Sequence, residues 1–239
     1  LPDLTVVSFK WHGWRDLYSA QEVHAQRNML QHYLKIPHRY VCVTDEPEGL
    51  DCETYPLWKE PVVEKRPTHH DSYCRLKMFS EEMAEVFPGY VLMMDLDLLI
   101  FKDITDLITW EDLRILKGGV CPYNGSMWLH KMGTRNFVWD SFDPETSPFE
   151  IPKYKTKSGK KWVGSDQGWL SVCCPGERLY DARDGIYRWS TDLRRRWLKK
   201  QYKLKDMRII FFTGMMKPWH GKMKSRYPEL YKEYMQWVQ

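Results

Sequence analysis

Three short apolar runs set the frame for this chain: Leu4 to Phe9 (LTVVSF), Tyr40 to Thr44 (YVCVT) and Tyr90 to Met94 (YVLMM). Each is strand-sized and rich in β-branched or large apolar residues. Between the first two, Asp16 to Leu34 has helical spacing, with Leu17, Ala20, Val23, Met29, Leu30 and Leu34 as its apolar stripe, and Pro37 closes it. A strand–helix–strand opening of this kind predicts a parallel, right-handed α/β sheet. Residues 46–72 read as loop, broken by Pro47, Pro56, Pro61 and Pro67, and a helix is expected from Ser72 to Val86, ended by Pro88-Gly89. Beyond Met94 the pattern predicts Leu98 to Phe101, a short Ile104–Leu107 segment, and strands near Gly118 to Pro122 and Met127 to Leu129. A polar loop over 143–162 follows, then a helix opened by Ser165-Asp166-Gln167, a strand at Arg208 to Phe212 and a helix from Pro228.

With 239 residues and 43% hydrophobic content, the chain can bury one large core. No apolar run approaches the roughly twenty residues of a membrane span. Leu1 stands where an initiator methionine would, so the start reads as trimmed. The six cysteines show neither CxxC spacing nor a Cys/His finger pattern, which argues against structural zinc and for a reducing, cytoplasmic setting. Charge is uneven: residues 1–120 carry 13 basic against 20 acidic side chains, and residues 121–239 carry 23 against 12. The second half is therefore the one expected to meet an anion, although a lysine-rich solvated surface explains the same count.

The sharpest local signal is Asp95-Leu96-Asp97 at the end of an apolar strand. Alternate strand residues share a side, so both carboxylates leave in the same direction. Two such groups repel unless one is protonated or a cation lies between them. A hard divalent ion, Mn²⁺ or Mg²⁺, fits oxygen ligands of this type, with substrate phosphates completing its shell. The carboxyl end of a parallel strand is also where open α/β sheets bind ligands.

Four further segments keep it company in order: Ser72-Tyr73-Cys74-Arg75-Leu76-Lys77, Asn124-Gly125-Ser126, Gly164-Ser165-Asp166-Gln167-Gly168 and Gly214-Met215-Met216-Lys217-Pro218-Trp219-His220. From about residue 4 to residue 221 the series resembles the retaining GT-A glycosyltransferases related to family 8, the class of glycogenin and the bacterial galactosyltransferases. It resembles still more closely a bacterial and phage branch with a PYNGSMW segment. The resemblance implies an α/β GT-A (Rossmann-like) fold over the whole chain, with 1–120 mainly binding nucleotide and 121–239 mainly facing the acceptor. It implies that Asp95 and Asp97 hold the metal and that Arg75 reaches the donor's phosphate or sugar hydroxyls. Asn124 and Gly125 fall near the sugar, and Asp166 and Gln167 beside the reaction centre. Lys217 would neutralise phosphate, while Gly214 hinges a closing segment that includes Trp219. Ser8, Phe9 and Lys10 end the strand where the nucleotide base is expected, and Asp45 ends the next. A helix N-cap role for Asp166 is compatible with this.

One departure stands out. The family supplies a histidine as third metal ligand just before the GxxKPW segment, and here Phe211-Phe212-Thr213 stands there. Thr213, water or His220 would have to serve instead. Trp11, Trp14, Trp128, Trp162, Trp169 and Trp219 lie on or beside the expected site loops, where aromatic faces could stack on sugars or bases. The acceptor is open between a glycan, a small molecule and modified DNA. The DNA reading draws on Lys153, Lys155, Lys157, Lys160 and Lys161 and on Arg194, Arg195, Arg196, Lys199, Lys200, Lys203 and Lys205. The rival readings are a haloacid-dehalogenase-type phosphatase, in which Leu99 takes the place of the usual Thr or Val, a sugar nucleotidylyltransferase, which lacks its Gly-rich loop here, and a non-catalytic nucleic-acid binder.

Overall fold

The computed structural model describes residues 2–12, 18–61, 70–154, 159, 164–194, 206–214 and 216–238. Its strands are β1 (Leu4–Lys10), β2 (Arg39–Thr44), β3 (Glu53–Pro56), β4 (Tyr90–Met94), β5 (Leu98–Ile100), β6 (Leu113–Lys117), β7 (Tyr123–Lys131), β8 (Arg178–Tyr180), β9 (Ile186–Arg188) and β10 (Ile209–Phe211). The main helices are α1 (Ala20–Tyr33), α2 (Glu81–Val86), α3 (Phe137–Asp140), α4 (Ser147–Glu150) and α5 (Asp166–Cys173), followed by helices Gly221–Arg226 and Pro228–Met235. Seven strands form a mostly parallel sheet in the order β3-β2-β1-β4-β7-β6-β8, and β5-β10-β9 form a second, smaller one. The predicted α/β class is the observed one. By packing, the chain divides into two compact units, one of residues 1–5, 57–93 and 110–179, the other of residues 6–56, 94–109 and 180–239.

In the second unit, α1 begins at Ser19, whose hydroxyl accepts from the Gln21 N–H while Glu22 reaches back to the Ser19 N–H. This capping box satisfies amides that the first turn would otherwise leave open. Val23, Ala25, Met29 and Leu30 are buried as the stripe requires, together with the polar Gln26. Of the predicted stripe, Leu17 lies outside the described residues. Strand β3, unforeseen within the proline-broken loop, pairs parallel to β2 from Val41 opposite Glu53 to Thr44 opposite Pro56. It forms the sheet's edge, where a proline's missing N–H does no harm. In the small sheet, β10 runs antiparallel to β5, with Phe211 opposite Leu98 and Ile209 opposite Ile100. That register sets the start of β5, just after Asp97, beside the end of β10.

In the first unit, the helix expected over 72–86 is two pieces: a 3-10 helix His70–Phe79 and α2. Ser80 separates them by capping α2, its hydroxyl accepting from the Met83 N–H at 3.2 Å. The strand expected at Gly118 to Pro122 is a turn instead, closed by the Gly118 N–H on the Pro122 carbonyl at 2.7 Å, and the strand lies before it as β6. Strand β7 is longer than its predicted apolar centre and pairs antiparallel to β6, but not evenly. Ile115 sits opposite Trp128 while its neighbour Leu116 sits opposite Asn124. Gly125, Ser126 and Met127 are therefore left without partners on β6, as in a β-bulge.

Candidate functional site

The bulge on β7 opens backbone groups that must find partners elsewhere. They find them in the side chains the motifs singled out. Gly125 donates its N–H to the Gln167 carboxamide oxygen at 2.8 Å and accepts from the Arg75 guanidinium at 3.1 Å, while the Ser126 N–H bonds the Asn124 side chain at 3.0 Å. Arg75 also pairs with Asp166 at 2.6 Å and lies over the Trp128 ring at 5.5 Å. Both members of that ion pair are nearly inaccessible, 8% and 1% exposed. A methyl group on Gly125 would come within 2.7 Å of Arg75 Nη2, so only glycine lets this cluster close. Asp166 is the first residue of α5 rather than its cap; Ser165 holds the cap position. Its carboxylate is turned to Arg75, and at the helix start it also meets the positive end of the peptide dipoles. Gln167 is engaged at both ends, its amide nitrogen lying 3.6 Å from the Cys121 sulfur.

A second cluster lies in the other unit. Asp95 and Asp97 follow β4, with Asp95 half-buried and Asp97 3% exposed. Their backbone is tied down: the Asp95 carbonyl accepts from Gln26 Nε2 at 2.8 Å, and the Asp97 carbonyl accepts from the Phe212 N–H at 2.8 Å. The β5–β10 register brings the chain past Phe212 back toward Asp97, and five residues on Lys217 forms a buried ion pair with Asp97 Oδ2. The same ammonium reaches the Phe212 carbonyl at 3.3 Å and the Tyr18 hydroxyl at 3.4 Å. Among the described residues, Asp97 Oδ1 is buried without a hydrogen-bond partner. Burial pushes the Asp97 carboxyl up to about 6, against the pull of Lys217 and with the help of Asp95.

The Ser8 hydroxyl is wholly buried and bonds Gln26 and Tyr40, so it braces the scaffold. Phe9 is buried edge-on to Trp11, with ring centroids 6.0 Å apart. Lys10 pairs with Glu46 at 2.7 Å, and Asp45 accepts the His12 N–H at 3.0 Å. Gly214 is exposed with φ of 86°. Trp219 packs edge-on to Tyr18 and tilted against Tyr234. His220 is the N-cap of helix Gly221–Arg226, its Nδ1 accepting the Lys222 N–H at 3.1 Å. Among the described residues no three His, Cys, Asp or Glu side chains converge as a metal site, so His220 does not join Asp95 and Asp97. Two carboxylates, one with an orphaned oxygen, still suit a hard cation that draws its other ligands from phosphate and water.

Gln26 is the residue that sequence reasoning missed. Its carboxamide accepts from Tyr40 and Ser8 on one side and donates to the Asp95 carbonyl on the other. A polar residue inside the apolar stripe of α1, three positions after Val23, was the available signal. Conversely, Trp128 and Trp169 are core residues, while Trp14 and Trp162 lie outside the described residues.

Close by in the second unit is a cavity of about 560 Å³. Trp189 and Met216 give it an apolar wall, and Arg194, Lys222 and His220 line it as well.

Solved structures share this arrangement of strands. The galactosyltransferase LgtC, in complex with donor and acceptor sugar analogues, is similar over 97% of this chain and 95% of its own, with a TM-score of 0.62 at 14% identity. The glycosyltransferase GlyE of Streptococcus pneumoniae TIGR4 is similar over 98% of this chain and 63% of its own, with a TM-score of 0.59 at 15% identity. The bifunctional glycosyltransferase WbbM is similar over 99% and 50% respectively, with a TM-score of 0.60 at 12% identity. The chain has a GT-A fold. No protein-family model and no curated protein matches its sequence. In this GT-A fold no helix among the described residues is long and apolar enough to cross a membrane.

Proposed function

We propose that this chain is a glycosyltransferase that moves a sugar from a nucleoside-diphosphate donor, a UDP-sugar first among them, to an acceptor with retention of configuration. The observation that carries the reading is the Asp95–Asp97 pair at the end of a sheet strand, with the Lys217 ammonium on the inner carboxylate. A buried lysine beside a carboxylate with a free oxygen is a ready place for a diphosphate and its counter-ion. LgtC, which shares the fold, holds donor and acceptor sugar analogues.

Asp95 and Asp97 would hold Mn²⁺ or Mg²⁺, and the ion would take up charge on the departing nucleoside diphosphate. The chain's own residues do the rest. Gln26 and the Phe212 amide fix the backbone on either side of Leu96, so the two carboxylates keep one spacing. Lys217 places a positive charge in a buried setting, where a phosphate oxygen would feel it strongly. Arg75 pairs with Asp166 in a site almost closed to water, and Gln167 and Arg75 together set the Gly125 backbone. These are the groups proposed to grip the donor sugar and steady the positive charge that develops on its anomeric carbon.

The test is direct. Purified protein is screened against UDP-, GDP- and dTDP-sugars by calorimetry with and without Mn²⁺, and nucleoside diphosphate release is followed. Binding of one donor, strengthened by Mn²⁺ and lost in Asp97→Asn, is expected. Hydrolysis of aryl phosphates without any donor binding would instead make the chain a phosphatase.

A further inference from the structure

The cavity near Trp189 is built with one sign of charge. Arg194 and Lys222 both line it, and no Asp or Glu does among the described residues. The nearest acid along the chain, Asp192, is engaged by Arg188, which meets it through its backbone N–H at 2.9 Å and its guanidinium at 2.9 and 3.0 Å. His220 adds a donor: its Nδ1 accepts the Lys222 N–H, so in the neutral ring Nε2 carries the proton. Ser190 and Thr213, also on the wall, bond each other at 2.8 Å. Trp189, only 1% exposed and fixed by stacking on Phe212 and edge-on contact with Tyr227, backs the cavity, and Met216 lines it as well. Two cations, an imidazole donor, paired hydroxyls and a volume within the ordinary range for small-ligand pockets together describe a site for a small polar molecule with a negative charge.

The described residues just after β10 touch both places: Phe212 bonds Asp97, while Thr213, Gly214 and Met216 line the cavity. Lys217, the cation committed to Asp97, is not part of the cavity wall. The cavity therefore has its own cations, separate from the one that serves the carboxylates.

We propose that this cavity binds the acceptor, and that the acceptor is an acidic sugar whose carboxylate or phosphate is held by Arg194 and Lys222. The inference rests on the transferase reading for the word acceptor, while the preference for acid stands on the cavity alone. The full chain is titrated with methyl β-glucuronide, glucose 6-phosphate and methyl β-glucoside, followed by Trp fluorescence and saturation-transfer NMR. The two acids should bind at least about ten-fold tighter than the neutral glucoside, the worth of one charge-assisted hydrogen bond. Arg194→Gln and Lys222→Gln should each remove about that factor for the acids and leave the glucoside as it was. Equal binding of acid and neutral sugars, or acid binding indifferent to both substitutions, overturns the proposal. So does displacement of the acids by saturating UDP, which would assign the cavity to the donor. Preferential capture of a single-stranded oligodeoxynucleotide over the acidic sugars overturns it in favour of nucleic acid. If no sugar nucleotide binds while acid preference holds, the transferase reading fails and the cavity's specificity stands.

Discussion

Lys217 and Asp97 give the residue scale its clearest test. With its charge taken up by a buried carboxylate, Lys217 is held in place before any ligand arrives. Lys217→Ala should weaken nucleoside diphosphate binding by roughly 10- to 100-fold, the value of a hydrogen bond to a charged group, as read by calorimetry. Gly125→Ala should cost about 1–3 kcal/mol in urea unfolding, because the new methyl group meets Arg75 at 2.7 Å and Asp166 at 3.1 Å, and moving either disturbs their buried ion pair. His130 makes a prediction in pH. It is fully enclosed, stacked on Phe79 and 3.2 Å from the Met78 carbonyl, and burial holds its pKa down to about 4. Between about 6.5 and 4 the unfolded chain takes up a proton that the folded one refuses, so stability falls as pH falls through that window. The loss approaches about 3 kcal/mol at its lower end, and denaturant titrations of His130→Leu should show a correspondingly shallower pH dependence. The cysteines are quiet at this scale: all six are free, and burial pushes Cys42 and Cys174 up to about 12, far from a reactive thiolate.

At the scale of elements, the apolar runs were legible because burial selects for them directly. LTVVSF and YVLMM became β1 and β4 almost residue for residue. What was hidden depended on partners. Strand β3 (ETYP) carries no apolar signal, since an edge strand is made by the hydrogen bonds its neighbour offers. The break at Ser80 hides in a helical pattern because a serine inside a helix and a serine capping one look alike in sequence. The site divides the same way. Asp95 and Asp97 announce themselves at a strand end, whereas the β7 bulge that makes Gly125 useful shows only in the pairing of Leu116 with Asn124. Helix α1 carries a prediction here. Ser19→Ala removes the acceptor for the Gln21 N–H and a partner of Glu22. It should lower stability by about 1 kcal/mol without altering ligand affinity, and thermal unfolding with and without UDP checks both parts.

For the whole molecule, the basic clusters bear on which acceptor could approach. Lys155, Lys157, Lys160 and Lys161, and the run from Arg195 to Lys205, lie outside the described residues, while Lys153 and Arg194 are exposed. A polyanion bound through them should lose affinity steeply with salt, about 0.7–0.9 log units per log unit for each phosphate contact. An electrophoretic titration between low and physiological salt measures that slope.

The path of the chain has a practical consequence. It passes from one compact unit to the other after Thr5, Pro56, Met93, Thr109 and Leu179. The first of these passages falls inside β1 and the third inside β4. No single cut therefore releases either unit as a continuous piece, and any half-length fragment carries scraps of both. For anyone wishing to transplant the Arg75–Asp166 cluster or the cavity of Arg194 and Lys222 into another scaffold, the portable part is thus the whole chain, and diversity is better introduced by substitution in place than by exchange of modules.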